Sequence, residues 1–389
     1  MKKLHFTQEQ VTNILEDIVH QEDGLQNILK LSLEALMRSE REEHNQEYND
    51  MSNGYRKRRG FGQGKILELQ VPRSRKGNFY PVLLGFLRDQ EEECRKLAFS
   101  LYGAGLTTKQ VGELFGDIYG REYSTSQISR MFEYARDDVA RWLERPLEPY
   151  YPMLMIDATF IHTRRVDNVS KEGYYTILGV REDRTREVLA IVNFPTESAN
   201  AWESVFDGLV KRGMQETGLV VCDSLSAIET AIWRYFPEAN VQLCTVHLQR
   251  NVQKHVKPKD KAAVSDDFKE VFRVGDRHDN SKQGWARWVE FCHKWGKYYP
   301  SIGKMVNNHR YMLHFTYLNY DYRMQSMIHT TNWVERLNRD YKRTTRMRGA
   351  LPNPEATILL LGYVAMTRSA YLRKIPKINY EANKFRWNE

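Results

Sequence analysis

Residues 151–247 break into short apolar runs, and that succession restricts the fold more than any other feature of the chain. "YPMLMIDATF", "GYYTILGVRED" and "REVLAIVNFP" are each of strand length. "SANAWESVFDGLVKRGMQE" follows as a helix, with Trp202, Val205, Phe206 and Leu209 on one side. "GLVVCDS" and "VQLCTVHL" read as further strands, separated by the helical stretch "LSAIETAIWRYFP". Three strands, helix, strand, helix, strand describe an α/β domain built on a mixed sheet. Two of the runs end on acids: Asp157 closes "LMID" and Asp223 closes "VVCD". Open α/β sheets present ligands at the carboxyl ends of their strands, so both side chains can converge there. Aspartate also leaves strands readily, because its side chain caps the next turn. Either residue alone fits that reading; two in one predicted sheet favour a shared site.

Ahead of this core, residues 6–45 repeat apolar positions at three- and four-residue steps. Residues 1–50 therefore read as a helical N-terminal region, and helices of this kind serve dimerisation or DNA contact equally well. "QEYNDMSNGYRKRRGFGQGK" reads as a polar link, and Leu67, Leu69 and Val71 alternate with polar residues in a short strand ending at Pro72. Arg56, Lys57, Arg58 and Arg59 lie on one side of that strand and Arg73, Arg75 and Lys76 on the other. This basic strand/loop segment, 51–87, suits either a grip on phosphates or solvated turns.

Residues 88–148 read as helical, with a short helix near 107–116 and a second from about Ser126, capped by Ser124 or Thr125. A helix-turn-helix would turn Ser126, Gln127, Ser129 and Arg130 toward DNA. An ordinary helical hairpin has the same pattern. The core's first part spans 149–257. Residues 258–329 lose the strand texture and resemble an all-α insertion before the closing helices of 330–389. Trp285, Trp288, Trp295, Tyr298 and Tyr299 there have the spacing of a helical core more than of a base-stacking platform.

"TTNWVERLNRDYKRTTRMRG" (330–349) sets a glutamate, Glu335, at the head of a cationic run of Arg336, Arg339, Lys342, Arg343, Arg346 and Arg348. Glu335 lies three residues after Asn332, as in a capping box, and negative charge suits the first helical turn. Helical projection puts Glu335, Asn338, Arg339, Lys342 and Arg346 on one face, with Val334, Leu337 and Tyr341 turned to a core. A carboxylate beside a row of cations suits phosphodiester chemistry. Two divalent ions about 3.5–4 Å apart stabilise charge on the entering and leaving oxygens, and hard carboxylates hold Mg²⁺. The formal charge of +8 agrees with a polyanionic partner. No segment approaches the roughly 20 apolar residues of a membrane helix. The 4 widely spaced cysteines suit a reducing compartment, so a cytoplasmic protein is expected.

"MIDATFIHTR", "VVCDSLSAIETAIWRYFPEANVQLCTVHLQRNV" and "TTNWVERLNRDYKRTTRMRG" together resemble the DDE transposases of the bacterial Mutator-type group, the insertion-sequence 256 kind. "NGYRKRR…LELQVPRSRKGNFYP" is similar to that family as well. The resemblance implies an RNase H-like mixed-sheet core interrupted by an all-α insertion and preceded by a mostly helical DNA-binding region. It implies that Asp157, Asp223 and Glu335 are the catalytic, metal-binding triad, with Mg²⁺ as cofactor and Mn²⁺ as substitute. The implied reaction is cleavage at terminal inverted repeats and joining of the 3′-OH to target DNA. The implied partners are double-stranded DNA and a second copy of the chain, in a bacterial, nucleoid-associated setting. Cys244 and His247 match the family's Cys-x-x-His element; two such residues make no closed zinc site, so no structural zinc is expected. Cys244, His247 and Arg250 are then accessory residues near the site, with Cys244 buried on the last strand, whereas His162 and Arg164 read as the start of a polar hairpin. Two other classes remain open: a DNA-binding regulator without catalysis, and an RNase H-like nuclease without strand transfer.

Overall fold

The computed structural model describes residues 24–62, 65–119, 123–194 and 199–376, together with Thr12 and Glu16. They fall into two compact units, Met1–Ala135 and Arg136–Glu389. Of the helical stretch expected over 6–45, most of residues 6–23 lie outside the described residues, and a helix occupies Gly24–Glu47.

In the first unit the expected polar link is instead a strand. β1 (Ser52–Gly62) pairs antiparallel with β2 (Lys65–Ser74), which supplies the partner that a non-alternating, cationic sequence does not advertise. β2 does not end at Pro72. The proline sits where the β1–β2 register shifts, a place where a missing N–H is tolerated. Leu67, Leu69 and Val71 pack against Met37 and Leu84. Arg56 and Arg58 stand opposite Val71 and Leu69, whereas Lys57 and Arg59 stand opposite Gln70 and Glu68. Side chains alternate across a strand, so these four cations divide between its two faces.

The helices Thr108–Tyr119 and Thr125–Met131 follow. Ser124 caps the second: its Oγ accepts from Gln127 N at 3.2 Å and Gln127 Oε1 accepts from Ser124 N at 2.9 Å. A Cβ on Gly112 would lie 2.5 Å from the Tyr123 carbonyl oxygen, so only glycine lets the turn rest on the first helix. Ser126, Ser129 and Arg130 are exposed, while Gln127 is committed to its cap.

The second unit is built on a five-stranded mixed sheet of order β5-β4-β3-β6-β7. Its strands are β3 (Tyr150–Arg164), β4 (Val169–Val180), β5 (Arg186–Phe194), β6 (Glu216–Cys222) and β7 (Asn240–Leu243). β3, β4 and β5 are antiparallel neighbours, and β3, β6 and β7 are parallel. Leu154 and Ile156 of β3 join Trp202, Phe206, Val220 and Ile228 in one core, under the helices Ala199–Lys211 and Ser226–Tyr235. The helix Asn332–Thr345 lies on β3, with Val334, Leu337 and Tyr341 fully buried as the projection required.

Between Pro258 and Ile328 every element is helical. Trp288, Trp295 and Tyr299 are buried there, whereas Tyr298 is exposed. The 3-10 stretch His309–Asn319 covers the edge strand β7. Gln242 holds it at both ends of its amide, donating to His314 O at 3.0 Å and accepting from Tyr317 N at 2.6 Å. An edge strand is thereby shielded from foreign pairing. Arg310 adds a charged clamp to Glu229 of the helix Ser226–Tyr235, at 2.8 Å.

Candidate active site

The register of β3 against β6 explains why two aspartates far apart in sequence meet. The last parallel pair is Met155↔Val221, so Asp157 and Asp223 stand two residues beyond it on neighbouring strands and on the same face. The chain crosses from β5 on one side of β3 to β6 on the other, and such a switch opens a crevice at the carboxyl ends. The helix Thr245–Lys254 starts directly after β7 and brings His247 to that crevice. His247 Nε2 lies 3.8 Å from Asp157 Oδ1, and its Nδ1 lies 3.7 Å from Asp223 Oδ1.

Glu335 is carried by the helix Asn332–Thr345. Its helix begins where Thr245 reaches across the chain: Thr245 N and Oγ1 both donate to His329 O, at 3.1 and 3.0 Å. Cys244 Sγ lies 3.7 Å from Thr331 Oγ1. Cys244 is thus a buried packing residue at the head of the helix Thr245–Lys254 and not part of the site's wall. Burial pushes its thiol upward from the ordinary range.

The capping role considered for Glu335 is not taken up. The N-cap is Thr331, one residue earlier than the box requires, and Glu335 Oε1 is buried without a hydrogen-bond partner. Its nearest cation is Arg250, at 3.6 Å. Asn338, one turn on, is buried rather than solvated and donates through Nδ2 to Asp157 Oδ2 at 2.8 Å and to Ala158 O at 3.3 Å. This asparagine was on the expected polar face, but its role as partner of Asp157 was missed. Its i+3 spacing from Glu335 was the available signal.

Electrostatics agree with crowding of the acids. Burial above all raises the Asp157 carboxyl to about 6; the His247 ring opposes the rise, while the charges of Glu335 and then Asp223 add to it. Asp223 is more open and accepts from Ser224 N at 2.6 Å. Asp157, Asp223 and His247 line one cleft, together with Ala158, Phe160, Tyr175 and Leu225. Among the described residues, no three His, Cys, Asp or Glu side chains are gathered tightly enough to ligate a single ion. Asp157 and Asp223 share the cleft, and Glu335 is near enough for its charge to act on Asp157. Arg336, Arg339, Lys342, Arg343 and Arg346 are all exposed along the Glu335 helix and its 3-10 extension. His162 and Arg164 occupy exposed positions on the β3–β4 hairpin, as expected.

A five-stranded mixed sheet with two aspartates at adjacent parallel strand ends and a glutamate on a basic helix defines a class of α/β protein with an acidic crevice. The comparisons narrow that class. Residues 2–373 match the family described as "Transposase, Mutator family", and the chain belongs to that family. The transposase for insertion sequence element IS905 of Lactococcus lactis subsp. lactis is 31% identical over 290 residues, which cover 75% of this chain and 72% of the relative. The transposase for insertion sequence element IS256 in transposon Tn4001 of Staphylococcus aureus is 27% identical over 377 residues, 94% of this chain and 95% of its own. Among solved structures, the Drosophila P element transposase strand transfer complex overlaps 73% of this chain and 93% of that one. Its identity is 13% and its TM-score 0.41, too low for any argument about the fold. No helix among the described residues is long and apolar enough to cross a membrane.

Proposed function

We propose that the chain is the transposase of an insertion sequence, cutting the element's terminal inverted repeats and joining the freed 3′-OH to target DNA. The observation that carries this reading is the placement of Asp157 and Asp223 within 3.8 Å of one imidazole, His247. The strand order β5-β4-β3-β6-β7, antiparallel then parallel, supports an RNase H-like core interrupted by an all-α insertion over 258–329. Double-stranded DNA is the proposed partner, with residues 88–148 recognising the ends and a homodimer as the working form.

The donor set fits divalent metal. Asp157 and Asp223 line one cleft, Glu335 Oε1 is a buried oxygen with no hydrogen-bond donor, and the Glu335 charge adds to the rise that burial imposes on Asp157. Hard oxygen ligands of this kind suit Mg²⁺, or Mn²⁺ in its place, held by Asp157, Asp223 and Glu335. When bound, the metal would stabilise charge on the entering and leaving oxygens of an in-line displacement. The chain's own residues do the rest. Asn338 fixes one Asp157 oxygen and leaves the other turned toward His247. His247 is positioned to orient the attacking hydroxyl or a phosphate oxygen. Arg250 and the exposed Arg336, Arg339, Lys342, Arg343 and Arg346 offset the acids and hold the backbone on either side.

The test is cleavage and joining of DNA carrying the element's own ends, with Mg²⁺ and a target plasmid. Asp157→Asn, Asp223→Asn and Glu335→Gln should each abolish both steps while DNA binding persists. Undiminished cutting by any variant would remove that residue from the mechanism. Cutting without joining would point to a nuclease, and binding without either to a regulator.

A further inference from the structure

Phe160 is a large aromatic that the fold does not bury: 53% of it is exposed at the mouth of the cleft that Asp157, Asp223 and His247 line. Its row on β3 explains why. Leu154 and Ile156 lie on the same face and are covered by the core helices. Past Ala158 the strand outruns that cover, so Phe160, His162 and Arg164 stand outward at successive two-residue steps. Each step is about 6.8 Å on an antiparallel strand. On β4, Lys171 is the direct partner of His162, on the same outward face, and is exposed. Neither Arg164 nor Lys171 has an ion-pair partner among the described residues, in a chain that pairs many of its surface cations.

The strand beside the ring is bare. The cross-strand partner of Phe160 is Gly173, and a Cβ built there would lie 3.5 Å from Phe160 Cε1 and 3.2 Å from Tyr175 Cε2. A side chain at Gly173 would crowd the Tyr175 ring and touch that of Phe160, so glycine leaves the strand beside the exposed ring bare. A hydrophobic ring set beside acidic groups, with Arg164 further along its row and Lys171 on the neighbouring strand, matches one ligand chemistry: a nucleic-acid strand. Its base stacks on the ring while successive phosphates meet the charges.

We infer that the outward row of the β3–β4 hairpin is the path of one DNA strand leaving the cleft. Phe160 stacks on the base of a nucleotide flanking the scissile phosphate. Arg164 and Lys171, with His162 between them, hold the phosphates beyond it. The inference rests on the cleft being the site of phosphodiester chemistry, and it adds which strand-binding surface that chemistry uses.

The test is photocrosslinking of the full chain to element-end oligonucleotides carrying 5-iodouracil at each position around the cleavage point, in EDTA, with the crosslinked residue read by mass spectrometry. A flanking position should crosslink to Phe160. Phe160→Leu should lower the yield and the affinity roughly tenfold, and Phe160→Tyr should restore both. Replacing Arg164 and Lys171 by Gln together should flatten the dependence of log affinity on log salt by about 1.4. Unchanged melting of all four proteins separates strand binding from packing. Crosslinks confined to other residues, such as Tyr298, would overturn the inference, as would unaltered affinity of Phe160→Leu. Cutting measured in parallel with Mg²⁺ keeps the two readings apart. Cutting without a Phe160 crosslink removes only the strand path, and a Phe160 crosslink without cutting removes only the chemistry.

Discussion

Asn338 and Asp157 meet through a 2.8 Å hydrogen bond that joins the Glu335 helix to the central strand of the sheet. The same amide nitrogen also reaches Ala158 O, so one side chain sets both the rotamer of an acid and the seat of the helix that carries another. Asn338→Ala should lower strand cutting about 10- to 100-fold, the usual cost of removing a group that orients a ligand. It should also destabilise the fold by about 1–3 kcal/mol, because a buried carboxylate loses a donor. Cutting rates and chemical denaturation of the same preparation check both. Asn338→Asp should be worse on each count, since it sets a second carboxyl against Asp157.

Two acids on neighbouring strands should respond to pH in opposite senses. Glu172 is held at about 2, below its ordinary 4.5, chiefly by the Arg165 guanidinium, with help from Ser170 and Asn193. Its contribution to stability is present above pH 4.5 and is lost as the pH falls toward 2. Asp157, raised from 3.8 to about 6, behaves the other way. In metal-free protein its contribution is full below pH 3.8 and is lost as the pH rises through 6, by about 3 kcal/mol at most. Melting temperatures across pH 2–7 should therefore show Glu172→Gln losing part of the acid-side fall. Asp157→Asn should lose part of the decline between pH 4 and 6.

Gln242 should matter out of proportion to its size. It satisfies His314 O and Tyr317 N across the edge of the sheet. Gln242→Leu leaves both buried, a loss of about 2–4 kcal/mol. Proteolysis should then cut the segment His309–Asn319 sooner than the sheet. Equal protection in both proteins would show that the Glu229–Arg310 clamp alone suffices.

His247→Gln keeps the size of the side chain but replaces an imidazole that faces both aspartates. Cutting should fall by about 10- to 100-fold. DNA affinity should change little, because no phosphate-binding cation is removed. A matching loss of affinity would instead make His247 a DNA contact.

Much of this site was legible in the sequence because its parts are local. Asp157 and Asp223 each close an apolar run, and the stripe of Val334, Leu337 and Tyr341 declares which side of its helix is buried. Ser124 or Thr125 could be read as a cap from its hydroxyl, and Ser124 takes the role. What escaped depends on partners distant in the chain. β1 is a strand because β2 lies beside it, and nothing in its cationic, glycine-bearing sequence alternates. The register of the Glu335 helix turns on a single residue: starting from Thr331 rather than Asn332 removes the capping box and leaves Glu335 Oε1 bare. Asn338 could be placed only on a polar face because its partner, Asp157, lies far away in the chain, on β3.

The central claim is that Asp157, Asp223 and Glu335 act as one metal site despite the long helical segment between the second and third acids. Anomalous diffraction from crystals of the chain bound to element-end DNA and soaked in Mn²⁺ measures this directly. The account predicts anomalous peaks between Asp157 and Asp223, with a Glu335 oxygen as a ligand and the scissile phosphate in contact. Manganese bound away from these strand ends, or bound there with Glu335 still paired to Arg250 alone, would contradict it.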